Sequence, residues 1–120
     1  MNILTEYNEN NFQDFEHHSG LAVIRFYAHW CTPCVQSKPT FIRLAQQSSN
    51  NIKFGQVNID QSPILTQRYQ VYGLPSILFF DHGQIVKRMT GLLTLQQYIQ
   101  TLEQLELRAG IDANLNDHQA

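Results

Sequence analysis

Leu21-Ala22-Val23-Ile24-Arg25-Phe26-Tyr27-Ala28 leads through His29-Trp30 into Cys31-Thr32-Pro33-Cys34, and this stretch decides the fold. The first eight residues are rich in β-formers and carry apolar side chains on both parities. That is the pattern of a central strand covered on both faces, as in a parallel or mixed α/β sheet. Arg25 alone breaks it. The chain then turns over Trp30–Pro33, and a helix follows to about Ser48. Pro39 lies inside that helix, where the missing N–H predicts a kink. The two cysteines of the chain thus sit between a buried strand and a helix N-terminus.

On the N-terminal side, Asn10 with Gln13 fits a capping box, and Phe12 and Phe15 recur at helical spacing. This predicts a short helix over about residues 11–18, closed by Ser19-Gly20. On the C-terminal side, Ile52–Ile59 reads as a second strand. Ser62-Pro63 opens a helix running to about Tyr69. Ser76–Phe80 and Gln84–Thr90 read as strands joined by Asp81-His82-Gly83. Thr94 with Gln97 caps a last helix whose stripe is Leu95, Tyr98, Ile99, Leu102 and Leu105. The order predicts an α/β fold: a central mixed β-sheet with helices on both faces, then a C-terminal β-hairpin plus helix. One domain is expected over residues 1–107. Residues 108–120, with only Ile111 and Leu115 as bulky apolar residues, are expected to form a polar, flexible tail.

Composition narrows the function. The chain has 120 residues, 42% of them apolar, a globular level. Charged residues make up only 15%, their place taken by 14 Gln and 9 Asn. With eight basic and ten acidic residues the net charge is −2, so no broad basic surface exists for nucleic acid or an anionic membrane. Two cysteines build neither a disulfide framework nor a four-cysteine zinc site. No apolar stretch approaches the roughly 20 residues that span a bilayer. Met1-Asn2-Ile3-Leu4-Thr5-Glu6 lacks the basic and apolar regions of a signal peptide, so a cytoplasmic location is expected. In a reducing compartment a close cysteine pair is catalytic or metal-binding more often than structural.

At a helix start a thiol meets unpaired N–H groups and the positive end of the helix dipole, which favour thiolate, the nucleophilic form. The spacing of Cys31 and Cys34 places both sulfurs in the first helical turn. Cys31, nearest the helix end and expected to be exposed, attacks an external disulfide; Cys34, further in, resolves the mixed disulfide. Two alternatives stand beside this reading: half of a zinc site, or an idle structural pair. The five histidines offer no finger-type pair for zinc.

Phe26-Tyr27-Ala28-His29-Trp30-Cys31-Thr32-Pro33-Cys34, Pro39, Val57-Asn58-Ile59-Asp60, Gly73-Leu74-Pro75-Ser76 and Gly91 together resemble the thioredoxin family, in register from about Leu4 to Leu107. The resemblance implies the thioredoxin fold and reduction of protein disulfides by dithiol–disulfide exchange. It implies a role in electron transport and cell redox homeostasis, with no bound cofactor beyond the redox-active Cys31–Cys34 disulfide. It also implies recharging by an NADPH-dependent thioredoxin reductase, and a monomer. Pro75 matches the family's cis-proline, with an ordinary trans proline as the alternative. Leu74 matches the position whose backbone pairs with substrate. Trp30, Gly73, Leu74, Pro75, Gly91 and Leu92 match the apolar substrate-binding surface around the nucleophile, although Trp30 alone also reads as plain core.

Two positions depart from the family pattern. Arg25 stands where the family keeps a buried aspartate beneath the resolving thiol, and Gln56 where it keeps a lysine. Burying an unpaired charge costs several kcal/mol, so Arg25 either snorkels out or finds acceptors beside the sulfurs. In the second case it modulates the thiols, favouring thiolate at Cys34 and making the disulfide more oxidising. A specialised protein with oxidising or isomerase bias is therefore the alternative function, and a client-binding or chaperone module with little turnover is another. Thr32 stands where glycine is commonest in the family; its hydroxyl either bonds a thiolate or caps the helix. His29 reads as an exposed polar residue, with a proton relay near the rim as the alternative.

Overall fold

All seven residues of β2 (Leu21–Tyr27) are buried, and the sheet around them accounts for the double parity. The computed structural model describes residues 4–119, with side chains through residue 110. β3 (Lys53–Asn58) pairs with β2 in parallel, and β4 (Ser76–Asp81) pairs with it antiparallel. β1 (Leu4–Tyr7) adds outside β3 and β5 (Gln84–Thr90) outside β4, giving the order β1-β3-β2-β4-β5. Odd-numbered Leu21 and Val23 pack with Phe41 and Leu44 of α2 (Thr32–Gln47) and Tyr98 and Leu102 of α4 (Leu95–Gln119). Even-numbered Ala22, Ile24 and Phe26 pack with Phe12 and Phe15 of α1 (Phe12–Glu16) and Leu65 of α3 (Pro63–Arg68). Two cores thus sandwich the sheet, each buried aromatic or aliphatic side chain contributing roughly 1.5–3 kcal/mol. Arg25 has the parity of Leu21 and Val23, so it faces the α2 and α4 side.

Where the elements differ from the sequence reading, local chemistry explains it. β1 was not expected; it is a four-residue edge strand with Thr5 and Glu6 exposed, too short to show alternation. At α1 the N-cap is Asn11 rather than Asn10, and its Oδ1 accepts from the Asn8 N–H at 2.7 Å. Ser62 precedes Pro63 at the start of α3, but its buried hydroxyl makes no capping bond. The Thr94–Gln97 capping box does close: the Thr94 N–H donates to Gln97 Oε1 at 2.8 Å and the Gln97 N–H to Thr94 Oγ1 at 3.1 Å. The β4–β5 connection is His82-Gly83, with φ of +52° and +79°, positive at both positions as a tight hairpin requires. α2 continues through Pro39. The boundary expected at Leu107 falls within α4, whose backbone stays helical to Gln119; the side chains of Ile111 and Leu115 lie outside the described residues.

Candidate functional site

Cys31 is the N-cap of α2, and its sulfur accepts a hydrogen bond from the Cys34 N–H at 3.2 Å. An N-cap acceptor at a helix start is where negative charge on sulfur is best received. Pro33 occupies the first turn, where its missing N–H costs nothing. Both cysteines are free thiols. The expected exposure of Cys31 is corrected: only 6% of its surface is accessible, because Tyr27, Ala28, Ile59 and Leu74 pack around the pair. Its access is a groove of about 460 Å³ lined by Trp30, Cys31, Thr32, Pro33, Ile59, Val71, Tyr72 and Leu74.

Trp30 is 69% exposed, which removes the plain-core alternative; its Nε1–H donates to Asp60 Oδ2 at 2.8 Å. Of the other expected rim residues, Leu74 lines the groove. The Leu74–Pro75 peptide bond is cis. Gly91, at φ +95°, donates its N–H to the Pro75 carbonyl at 3.0 Å and so lies beside it. Leu92 is exposed. Gly73 and Ser76 are joined by a hydrogen bond from the Ser76 hydroxyl to the Gly73 carbonyl. Val71 and Tyr72 belong to this surface without having been singled out from the sequence, and Ile59 and Asp60, quoted there for the family resemblance, join them. Tyr72, 91% exposed, is the most open large side chain of the groove. Its neighbour Gly73 was the available signal.

Behind Cys34 the structure decides the Arg25 question against snorkelling. Arg25 is 1% exposed. The parallel register sets it beside Gln56, and its Nη1–H donates to Gln56 Oε1 at 3.2 Å. Its Nη2–H donates to the Cys34 carbonyl, which also accepts from the Ser37 hydroxyl at 3.2 Å. The guanidinium lies 5.0 Å from the centre of the Tyr27 ring, and Nε–H has no partner. Both acceptors are neutral, and none of the ion pairs among the described residues includes Arg25. Burial accordingly lowers its pKa, opposed by the nearby Cys34 and Tyr27.

Burial pushes the Cys34 thiol up to about 11, and hydrogen bonding with Cys31 adds to the rise. Hydrogen bonding from the Ala28 backbone and the charge of Arg25 pull the other way. Tyr27 is raised by burial and by its hydroxyl's hydrogen bond to Glu6. A second cavity, a crevice of about 190 Å³, is lined by Arg25, Tyr27, Ala28, His29, Cys34, Val35 and Lys38. The two cysteines therefore face different openings.

Among the described residues no group of three or more His, Cys, Asp or Glu is placed to hold a metal ion, and no helix is long and apolar enough to cross a membrane. A family model, Thioredoxin, matches residues 3–104. A thioredoxin of Buchnera aphidicola subsp. Schizaphis graminum is 30% identical over 116 residues, covering 96% of this chain and 99% of that protein. Thioredoxin 1 of Chlorobaculum tepidum is 36% identical over 74 residues, covering 62% of this chain and 73% of that protein. Among solved structures, a mutant thioredoxin from Halobacterium salinarum superposes with a TM-score of 0.76 at 24% identity, covering 85% and 88% of the two chains, a likeness of fold.

Proposed function

The chain belongs to the thioredoxin family of thiol–disulfide oxidoreductases, and on that premise we propose that it reduces protein disulfides through Cys31 and Cys34. The observation that carries the reading is the Cys31 sulfur at the N-cap of α2, accepting the Cys34 N–H and opening onto an apolar groove. Cys31 thiolate attacks one sulfur of the substrate disulfide, and the substrate's other sulfur leaves as thiolate. Cys34 then attacks Cys31, closing the Cys31–Cys34 disulfide and releasing the second substrate thiol. No cofactor takes part; two electrons pass from the dithiol to the substrate.

Trp30, Leu74 and Tyr72 offer apolar contact to an extended segment around the substrate cysteine. Pro75, Gly73, Gly91 and Leu92 complete that surface in this reading, with the Leu74 backbone pairing to the segment. A thioredoxin reductase using NADPH, in the cytoplasm, regenerates the dithiol. The test is insulin-disulfide reduction, run with dithiothreitol and separately with a reductase and NADPH. Activity with both is expected, and Cys31→Ser abolishes it. Intact client binding without turnover in the parent chain refutes the reading and favours a binding module.

An oxidising bias is the second reading, and the fully buried cation beside the pair favours it. The leverage is limited, since a cation stabilises the reduced form only through a thiol that ionises. Cys34, held near 11, does not do so at neutral pH. Through Cys34 the influence of Arg25 therefore falls on the thiolate that forms transiently during resolution.

A further inference from the structure

Resolution has a proton to dispose of. Cys34 is buried and attacks only as thiolate, so its proton must reach an acceptor before or during the attack. Apart from Cys31 itself, whose sulfur is bound in the mixed disulfide at that moment, the charged and titratable groups facing Cys34 can be taken in turn. From β2 come Arg25, a cation with no lone pair to offer, and Tyr27, whose hydroxyl is committed as donor to Glu6 of β1. From α2 comes Lys38 at the crevice mouth, a second cation with no lone pair to offer. From α4, Tyr98 faces Arg25 rather than the crevice. His29, in the connection between β2 and α2, is left. Its ring stands edge-on to Tyr27 at 5.5 Å, and it lines the same crevice as Cys34 while remaining open to solvent.

We propose that His29 is the proton acceptor for Cys34, reached across the crevice that the two side chains share. The inference rests on the reading of Cys31 as nucleophile and Cys34 as resolver. A crevice of about 190 Å³ has room for a bridging water, and an imidazole acts as base through one water as well as directly. In the step itself the Cys34 S–H proton passes to an imidazole nitrogen and the Cys34 electron pair attacks Cys31 Sγ. The Cys31–Cys34 bond forms as the bond from Cys31 to the substrate sulfur breaks. The substrate sulfur leaves as thiolate and takes a proton from the imidazolium or from water. The substrate gains two electrons and the dithiol loses two. Arg25 is a positioning residue here: it holds the Cys34 carbonyl and supplies positive charge where the thiolate forms.

The experiment is a single turnover of the reduced protein with a disulfide-bonded peptide, quenched in acid so that the mixed disulfide is counted by mass. Formation is measured in Cys34→Ser, and decay in chains that retain Cys34. His29→Gln is expected to form the mixed disulfide at the parent rate but to resolve it more slowly at neutral pH, by about tenfold or more. The difference should close as the pH approaches the range in which Cys34 ionises unaided. In His29→Ala, added imidazole should restore decay, since the crevice opens to solvent, while leaving the parent rate unchanged. Because His29 is exposed, both variants are expected to keep the parent melting temperature. Equal decay rates across the pH range, or imidazole acting equally on parent and variant, overturns the proposal while leaving Cys31 as nucleophile. Failure of Cys34→Ser to form any mixed disulfide takes down the underlying reading, and the proposal with it.

Discussion

Arg25→Met removes the buried cation and keeps a long apolar side chain in its place. The fold should survive. Two hydrogen bonds from a charged donor, to Gln56 and to the Cys34 carbonyl, are lost at about 1.5–3 kcal/mol each. Against this, a buried charge with no carboxylate partner and an unpaired Nε–H disappears, relieving a penalty of several kcal/mol. The net change in stability is expected to lie within about 2 kcal/mol of zero. The kinetic change has a definite sign. Arg25 is held against the Cys34 carbonyl, and its charge is the smallest of the influences on the thiol; a unit charge at an effective dielectric near 20 sets an upper bound of about 2 kcal/mol at about 8 Å. At that bound, its loss raises Cys34 by at most about 1.5 pKa units. The thiolate fraction then falls about thirtyfold, and the greater nucleophilicity of the more basic thiolate returns about a factor of six. Resolution should slow, by up to about fivefold at neutral pH. Stopped-flow emission from Trp30, exposed beside Cys31, reports the mixed disulfide directly. A folded Arg25→Met chain resolving at the parent rate or faster, with the same pH profile, refutes the assignment of Arg25 as the charge that favours Cys34 thiolate.

Cys34 also makes the reduced protein sensitive to alkali. Its folded-state pKa of about 11 lies above the ordinary thiol value of 9.0, so the native state holds the proton longer than the unfolded chain. Stability is then fully present below about pH 9 and falls between there and about 11, by an amount on the order of 2 kcal/mol. Tyr27, Tyr69 and Tyr98 are raised as well, but they titrate in both redox forms, so the difference between reduced and oxidised melts against pH isolates the thiol pair. A parallel fall in both forms would contradict it. Gly55→Ala would place a Cβ 2.4 Å from the Tyr7 ring and should cost about 1–3 kcal/mol in chemical denaturation. Gly110→Ala meets nothing within 4 Å inside α4 and should be neutral, or stabilising by up to about 1 kcal/mol. Thr94→Ala opens the capping box of α4 and should lower stability by about 1 kcal/mol while leaving disulfide reduction intact.

The parts of the fold that were legible carry their signal locally. The double parity of Leu21–Tyr27 announced a covered strand, and the stripe from Leu95 to Leu102 an amphipathic helix, because burial repeats within a few residues. β1 carried no such repeat. Its four residues pair from Leu4↔Phe54 to Tyr7↔Val57, partners some fifty positions away, and only Tyr7 is fully buried. The failed caps have a related cause. Asn11 and Ser62 are suitable residue types, but Asn11 spends its side chain on Asn8 and Ser62 is enclosed, so composition at the position did not decide the bond.

At the site, the cysteines and the helix start were readable from adjacent residues, whereas everything that tunes them arrives from elsewhere in the chain. Ile59 and Leu74, which enclose Cys31, come from after β3 and before β4. Asp60 reaches Trp30 across thirty residues. Arg25 left two readings open because a long cation on a covered strand can leave or stay, and only the register Arg25↔Gln56 with the Cys34 carbonyl overhead supplies acceptors for staying. That placement has a consequence for the chemistry. A carboxylate in the same position would serve as base for Cys34; a guanidinium stabilises the thiolate yet accepts no proton. Charge stabilisation, which a carboxylate would not give, and proton acceptance, which a guanidinium cannot give, are here divided between two groups. The crevice behind Cys34 places a cation at its floor and an imidazole at its mouth, which is the arrangement that division requires.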